Sequence, residues 1–185
     1  MFPTKTNEVK LVSAVGIDYN RLRNLLASRK WQEADRETTE LMLRVAKREE
    51  KGWLDRTSIL GFPYDDLHTI NQLWVNYSNN RFGFSVQQRV CENVKQHIKD
   101  DSQVWERFRN LVGWFKKDKK FCYGDIIFSE TAPEAHLPSV GLFVGLEMKY
   151  ESFEQQCGLM TGLGGVVFDA IASRIENSNI CDRFN

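Results

Sequence analysis

The stretch WQEADRETTELMLRVAKREE repeats its buried-type residues every three or four positions, through Trp31, Ala34, Thr38, Leu41, Met42 and Val45. A half-buried strand alternates every two residues, so this period calls for an amphipathic helix. The preceding DYNRLRNLLASRK carries Tyr19, Leu22, Leu25 and Leu26 on one face in the same way. Residues 28–30 between them are few enough to predict two antiparallel helices. No second copy of the pair follows at a fixed period, which excludes a solenoid.

The helical period returns further on. Leu67, Ile70, Leu73 or Trp74, and Tyr77 are in phase, and SNN ends that helix because Asn tolerates left-handed backbone. Ser85 is the expected cap of the next helix, with the face Val86, Val90, Val94 and Ile98. Ser102 is the expected cap of another, with Val104, Trp105, Phe108, Leu111 and Val112. Between these helices, KGWLDRTSILGFPYDD reads as irregular, punctuated by Gly52, Gly61 and Pro63. From Gly113 the period is lost across WFKKDKKFCYGDIIFSETAPEAHLPSVG, a segment rich in rings and interrupted by Pro133 and Pro138. So long a loop is usually functional or disordered, and its rings argue for order. CGLMTGLGG leads into a last helix, VVFDAIASRIENS. The expected fold is an irregular all-α domain over residues 15–185 behind an N-terminal extension, 1–14.

At 185 residues the chain can bury a core without staples. Lys plus Arg equals Asp plus Glu at 25 each, so the overall balance points to neither nucleic acid nor an anionic membrane. The four cysteines are far apart with no Cys-x-x-Cys, which predicts reduced thiols. No apolar run approaches the roughly 20 residues that span a bilayer. MFPTKTNEVK has the features of neither a secretory signal nor a transit peptide, so the protein is expected to work where it is made.

Catalytic motifs are missing: no phosphate-binding Gly-x-x-x-x-Gly-Lys-Ser/Thr, no His-Glu-x-x-His and no Gly-x-Ser-x-Gly. GLGG at 162–165 has no strand before it and reads as a connector. His68 suits packing or capping, and His97 lies on a solvated face. His136, bracketed by prolines, reads as a structural hydrogen-bonding residue with a functional contact as the alternative. Asp65 and Asp66 open a helix, where carboxylates favour the positive end of its dipole. KKDKK at 116–120 alternates with Trp114, Phe115, Phe121 and Tyr123. Cations interleaved with rings suit a ligand with an apolar body and acidic edges.

Three blocks then carry a family likeness: LLASRKWQEADRETTELMLRVA, FPYDDLHTINQLWVNYSNNRFGFSVQ and TAPEAHLP. They resemble the signature blocks of the genomes-uncoupled family, tetrapyrrole-binding regulators that stimulate magnesium chelatase in oxygenic phototrophs. The similarity covers about residues 15–138. It implies an all-helical, cupped fold whose greasy palm, formed by two loops, takes protoporphyrin IX or magnesium protoporphyrin IX. Carried over by position, Trp53, Leu54, Ile59 and Phe62 line one side, and Phe121, Tyr123 and Phe128 the other. Trp114, where the second loop begins, and His136 complete the expected porphyrin-binding set. Trp74, Phe82 and Phe84 are expected to pack beneath the loops. Lys119, Lys120 and Arg174 are the expected propionate partners, and no residue reads as an axial metal ligand.

The sequence departs from the family pattern in places. Asn71 stands where Asp is usual, Asn80 and Ala135 where Gly is common, and Phe121 where several relatives have Trp. A basic residue that some relatives place soon after His-Leu-Pro is missing, leaving only Lys149 in that region. The resemblance implies a non-enzymatic carrier acting on the porphyrin-binding large subunit of magnesium chelatase, in a cyanobacterial cytoplasm or a plastid stroma. The departures motivate an alternative, a porphyrin or bilin sensor signalling to another partner. A helical interaction module without a pocket is a third reading. The physics suits a pigment: a few hundred Å² of flat hydrocarbon, at about 25 cal/mol per Å², is several kcal/mol before association costs.

Overall fold

In the computed structural model, residues 9–117, 121–141, 170, 171 and 174 are described. Among the described residues six α-helices can be followed from end to end, in chain order: α1 Asn20–Ala27, α2 Trp31–Val45, α3 Arg56–Leu60, α4 Tyr64–Tyr77, α5 Phe84–Lys95 and α6 Asp101–Leu111. Single 3-10 turns follow at Tyr123–Asp125 and Ser139–Gly141. No strand occurs among the described residues, and the fold is all-α. Of the last helix expected from the sequence, Ala170, Ile171 and Arg174 are described and helical. Its remainder, like Lys119 and Lys120, lies outside the described residues.

α1 packs on α2 and α4, α4 on α5, and α5 on α6. Arg29, at φ 56°, turns the chain between α1 and α2 as the short connection requires. α2 is the central element, burying Trp31, Ala34, Asp35, Thr38, Leu41 and Met42. Trp31 stacks on Trp74 with centroids 6.1 Å apart and meets the edge of Phe82 at 5.5 Å. The Trp74 indole N–H donates to Thr38 Oγ1 at 2.9 Å, so the large ring is buried without an orphaned donor. Trp74, Phe82 and Phe84 are all within the core, as the sequence suggested.

Three local expectations are corrected. The segment read as irregular contains α3, whose first turn is closed by a capping box between Asp55 and Ser58. The signal was present in the sequence as Asp-x-x-Ser, a short version of the usual box. α5 begins one residue before Ser85, at Phe84, so Ser85 is not its cap. Instead Asn71 Oδ1 of α4 accepts the Ser85 N–H at 2.9 Å, a cap delivered from another helix. α6 begins at Asp101, which puts Ser102 inside it, and Asp100 accepts the Gln103 N–H at 3.4 Å.

The N-terminal strap is stitched down by α4. Val12 and Thr69 exchange hydrogen bonds at 3.1 and 2.7 Å. Asp66 is fully buried and accepts from Ser13 Oγ, Ala14 N and Tyr19 Oη at 2.5, 2.9 and 2.7 Å. It lies in the first turn of α4 beside Asp65, as expected of a helix-opening pair, and also anchors a segment some fifty residues earlier. Burial, and then this carboxylate, push the Tyr19 phenol far above its ordinary range, so it remains a donor. The cysteines are a further correction: Cys122 is disulfide-bonded, whereas Cys91 is a buried free thiol. Separation along the chain does not reveal which sulfurs folding brings within bonding distance.

Candidate functional site: two braced aromatic segments

The first segment runs from the end of α2 to the start of α4. Arg48 braces it by lying over the Trp53 ring, 4.8 Å from the centroid. The same guanidinium donates to the Trp53 carbonyl at 3.3 Å and to Asp55 Oδ2 at 2.9 Å. Trp53 is half-buried, while Leu54, Ile59 and Phe62 of the same segment are buried in the core. Leu60, between the last two, is 39% exposed. Arg174 reaches this segment from the C-terminal side, its Nη2 donating to the Phe62 carbonyl at 2.6 Å. Its Nε is buried without a hydrogen-bond partner among the described residues.

The second segment, 114–139, is held at three places. At the end of α6, Gly113 has φ 77°, and a Cβ there would come within 3.0 Å of the Pro133 ring and 3.3 Å of His136 Nδ1. That close approach seats His136, which is fully buried. Its Nδ1 lies 2.5 Å from the Val112 carbonyl, and its Nε2 accepts the Ile127 N–H at 2.9 Å. A carbonyl can only accept, so Nδ1 carries the proton and the ring is neutral. Burial depresses the imidazole pKa, against the opposing pull of the Val112 carbonyl. Trp114 is buried beside it and donates to the His136 carbonyl at 2.9 Å.

The α4–α5 turn holds the later part of the segment. Arg81 donates to the Ala132 carbonyl and accepts from Ala135 N at 2.9 Å. Gly83 N donates to Leu137 O at 2.9 Å. Gln87 donates to the carbonyls of Ala135 and Pro138 at 3.2 and 2.8 Å. Ala135 has φ 63°, so the backbone is left-handed even though Ala has replaced the family's Gly.

α2 holds the third place through Asp35. Its carboxylate accepts from Ser139 N at 2.6 Å, Ser139 Oγ at 2.6 Å and Tyr123 Oη at 3.0 Å. Burial raises the Asp35 pKa, and the donors from Ser139 and Tyr123 pull it back. The Tyr123 phenol is raised far out of range, by burial first and by Asp35 second. Tyr123 packs against Phe128 with centroids 5.3 Å apart, and Phe121 is buried nearby in the chain. Ile127 is 46% exposed.

The expected pigment-facing residues thus differ in their surroundings. Trp53 and Phe128 are partly accessible; Leu54, Ile59, Phe62, Trp114, Phe121, Tyr123 and His136 are buried. Sequence reasoning did not single out Asp35, Arg48 or Leu60. Asp35 was detectable, since it follows Ala34 on the buried stripe and a carboxylate there demands donors. Arg48 and Leu60 left no such signal.

A separate cleft of about 440 Å³ opens between α5 and α6, lined by Val90, Val94, Ile98, Leu111, Arg107 and Glu134 among others. It includes none of the expected pigment residues and no aromatic ring other than His97. Its volume suits a small ligand, but it offers no wide flat wall. No cluster of metal-ligating side chains is present among the described residues.

A helical core that carries two aromatic loops, the first braced by the part-buried Arg48 and the second by the buried Asp35 and His136, defines an all-α domain built around those loops. The GUN4-like family model matches residues 12–156, and the chain belongs to that family. It is 34% identical over 142 residues to the Ycf53-like protein of Synechocystis, covering 75% of this chain and 58% of that protein. The chain thus spans little more than half the length of that relative. A tetrapyrrole-binding protein of Arabidopsis chloroplasts is 28% identical over 100 residues, 53% of this chain and 35% of that one. Among solved structures, GUN4 from Chlamydomonas reinhardtii matches with TM-score 0.66 and 28% identity, covering 91% of this chain and 96% of that chain. Ligand-free Arabidopsis GUN4 shares the fold at TM-score 0.59 and 21% identity.

Proposed function

We propose that this protein is a non-enzymatic tetrapyrrole-binding regulator that takes protoporphyrin IX and magnesium protoporphyrin IX between its two aromatic segments. The observation that carries the reading is the pair of ring-bearing loops braced to the helical core of a GUN4-like chain. A relative in the same family bears the name tetrapyrrole-binding protein. Trp53, Leu60, Ile127 and Phe128 keep apolar surface accessible on the two segments. The buried rings beneath would meet the macrocycle if the segments part to admit it. Arg174, with a buried unpartnered Nε beside the Phe62 carbonyl, suits a propionate. Lys119 and Lys120 are the remaining candidates for that role. His136 has both ring nitrogens engaged within the protein, so neither would be available to hold a magnesium brought in by a pigment.

On this reading the protein passes substrate and product to the porphyrin-binding large subunit of magnesium chelatase, in chlorophyll synthesis, in a cyanobacterial cytoplasm or a plastid stroma. The test is a side-by-side titration with protoporphyrin IX, its magnesium chelate and a bilin. Saturable quenching of tryptophan fluorescence by the two porphyrins is expected. Unchanged fluorescence and pigment absorbance would defeat the reading, and a preference for the bilin would favour the sensor. Faster magnesium insertion by chelatase on adding the protein then separates an activator from a sensor.

A further inference from the structure

The two halves of the second segment are not held equally. Its later half is tied to the α4–α5 turn through Arg81, Gly83 and Gln87. Its earlier half, 121–128, carries the rings of the second wall. Side chains from elsewhere in the described fold reach into it, among them His136 at Ile127, Asp35 at the Tyr123 hydroxyl, and Arg36, whose guanidinium lies 5.9 Å from the centroid of the Tyr123 ring. Lys116 adds an exposed ion pair with Asp125 at 2.5 Å, of a kind that contributes little. Asp35 differs from the others in what it joins. One carboxylate, rooted in the central helix, receives the Tyr123 hydroxyl from the ring-bearing half and both Ser139 donors from the pinned half. The positions of Tyr123 and Ser139 are thereby coupled, although they lie 16 residues apart: both hydroxyls donate to the same Asp35 oxygen, Oδ2.

Resting on the tetrapyrrole reading above, we propose that Asp35 is a positioning residue that fixes the ring-bearing half of the second segment against α2 and so sets its affinity for a flat tetrapyrrole. The three donors converging on it give one well-defined place for the Tyr123 ring, which in turn packs against Phe128. A purely apolar residue at 35 would fill space on α2 but leave the Tyr123 hydroxyl, Ser139 hydroxyl and Ser139 N–H without their shared acceptor. Asp35 touches no ligand on this account; it acts through Tyr123.

The experiment compares the full chain with Asp35→Asn and Tyr123→Phe, each keeping the shape of its side chain. Thr38→Val serves as a control, because it removes the acceptor of the Trp74 indole on the same helix and leaves the second segment untouched. Hydrogen exchange and a protoporphyrin IX titration are read on all four proteins. In both test variants the amides of residues 125–127 should exchange about tenfold faster while those of α4 keep their rates. The dissociation constant for protoporphyrin IX should rise about tenfold. Thr38→Val should lower the unfolding midpoint with neither effect. Unchanged exchange at 125–127 in Tyr123→Phe, or loss of affinity matched by the Thr38→Val control, would overturn the proposal. If the unaltered protein leaves protoporphyrin unbound, the tetrapyrrole reading and the affinity claim fall together. The exchange rates still decide whether Asp35 holds the segment.

Discussion

Gly83 is the position where a single atom matters most. It precedes α5 with φ 127°, and a Cβ built there would lie 2.7 Å from Val75 Cγ2 and 3.2 Å from Asn71 Oδ1. Both neighbours belong to α4, and Asn71 is the acceptor that caps α5. Gly83→Ala should destabilise by about 2–5 kcal/mol, combining left-sided backbone strain with overpacking, as read from urea unfolding. Asn80 makes a milder case. With Asn79 it forms two consecutive left-handed residues, at φ 61° and 54°, where the chain leaves α4. Asn80→Ala should cost about 1 kcal/mol, and Asn80→Gly should stay within about 0.5 kcal/mol of the parent by the same measurement. The Asn pair was readable from the sequence as a turn. The need for glycine at 83 was not, because it depends on where α4 lies.

At the scale of elements, the second segment behaves as a loop locked to three helices. His136 is the lock at α6, and its two ring nitrogens are used in different senses. Protonation at Nε2 would replace an acceptor with a donor facing the Ile127 N–H. Its folded pKa lies below the ordinary value of 6.5, mainly through burial. The stability this depression supplies is therefore complete above about pH 6.5 and is lost as the pH falls through the depressed value. Wild-type stability should drop below pH 6.5, by up to about 1.4 kcal/mol per pH unit from this one group. His136→Gln should lack that part of the slope, which parallel urea titrations at pH 7.5 and about pH 5 would reveal. The prolines around His136 indicated a fixed ring, whereas its partners at Val112 and Ile127 came only from the fold. Helix existence was likewise legible for α1, α2, α4, α5 and α6, each long enough to display its period. The five residues of α3 are fewer than two turns and display none.

For the whole molecule, the consequence of the proposed binding is a linked gain in stability. Protoporphyrin IX at about one hundred times its dissociation constant should stabilise the folded chain by about 2.7 kcal/mol. For a chain of this size that corresponds to a rise in melting temperature of about 5–10 °C, measurable by calorimetry. An unchanged midpoint under saturating pigment would contradict binding to the native state. The same linkage should vanish in the absence of pigment, leaving the ring-bearing loops held by the protein's own contacts, those of Asp35, Arg48 and His136 among them.

The order of the main helices, their buried faces and the concentration of rings in two loops follow from the sequence itself. These are properties of short windows: a period of three or four needs only neighbouring residues to be expressed. The tertiary structure decided which rings are sealed and which stay accessible, and which polar groups hold them. Asn71 caps a helix 14 residues away, Tyr123 meets Asp35 across 88, and Ser139 meets it across 104. Such partnerships exist only when packing delivers both groups to the same dry site, where an unmatched donor or carboxylate is expensive. No local pattern carries that information.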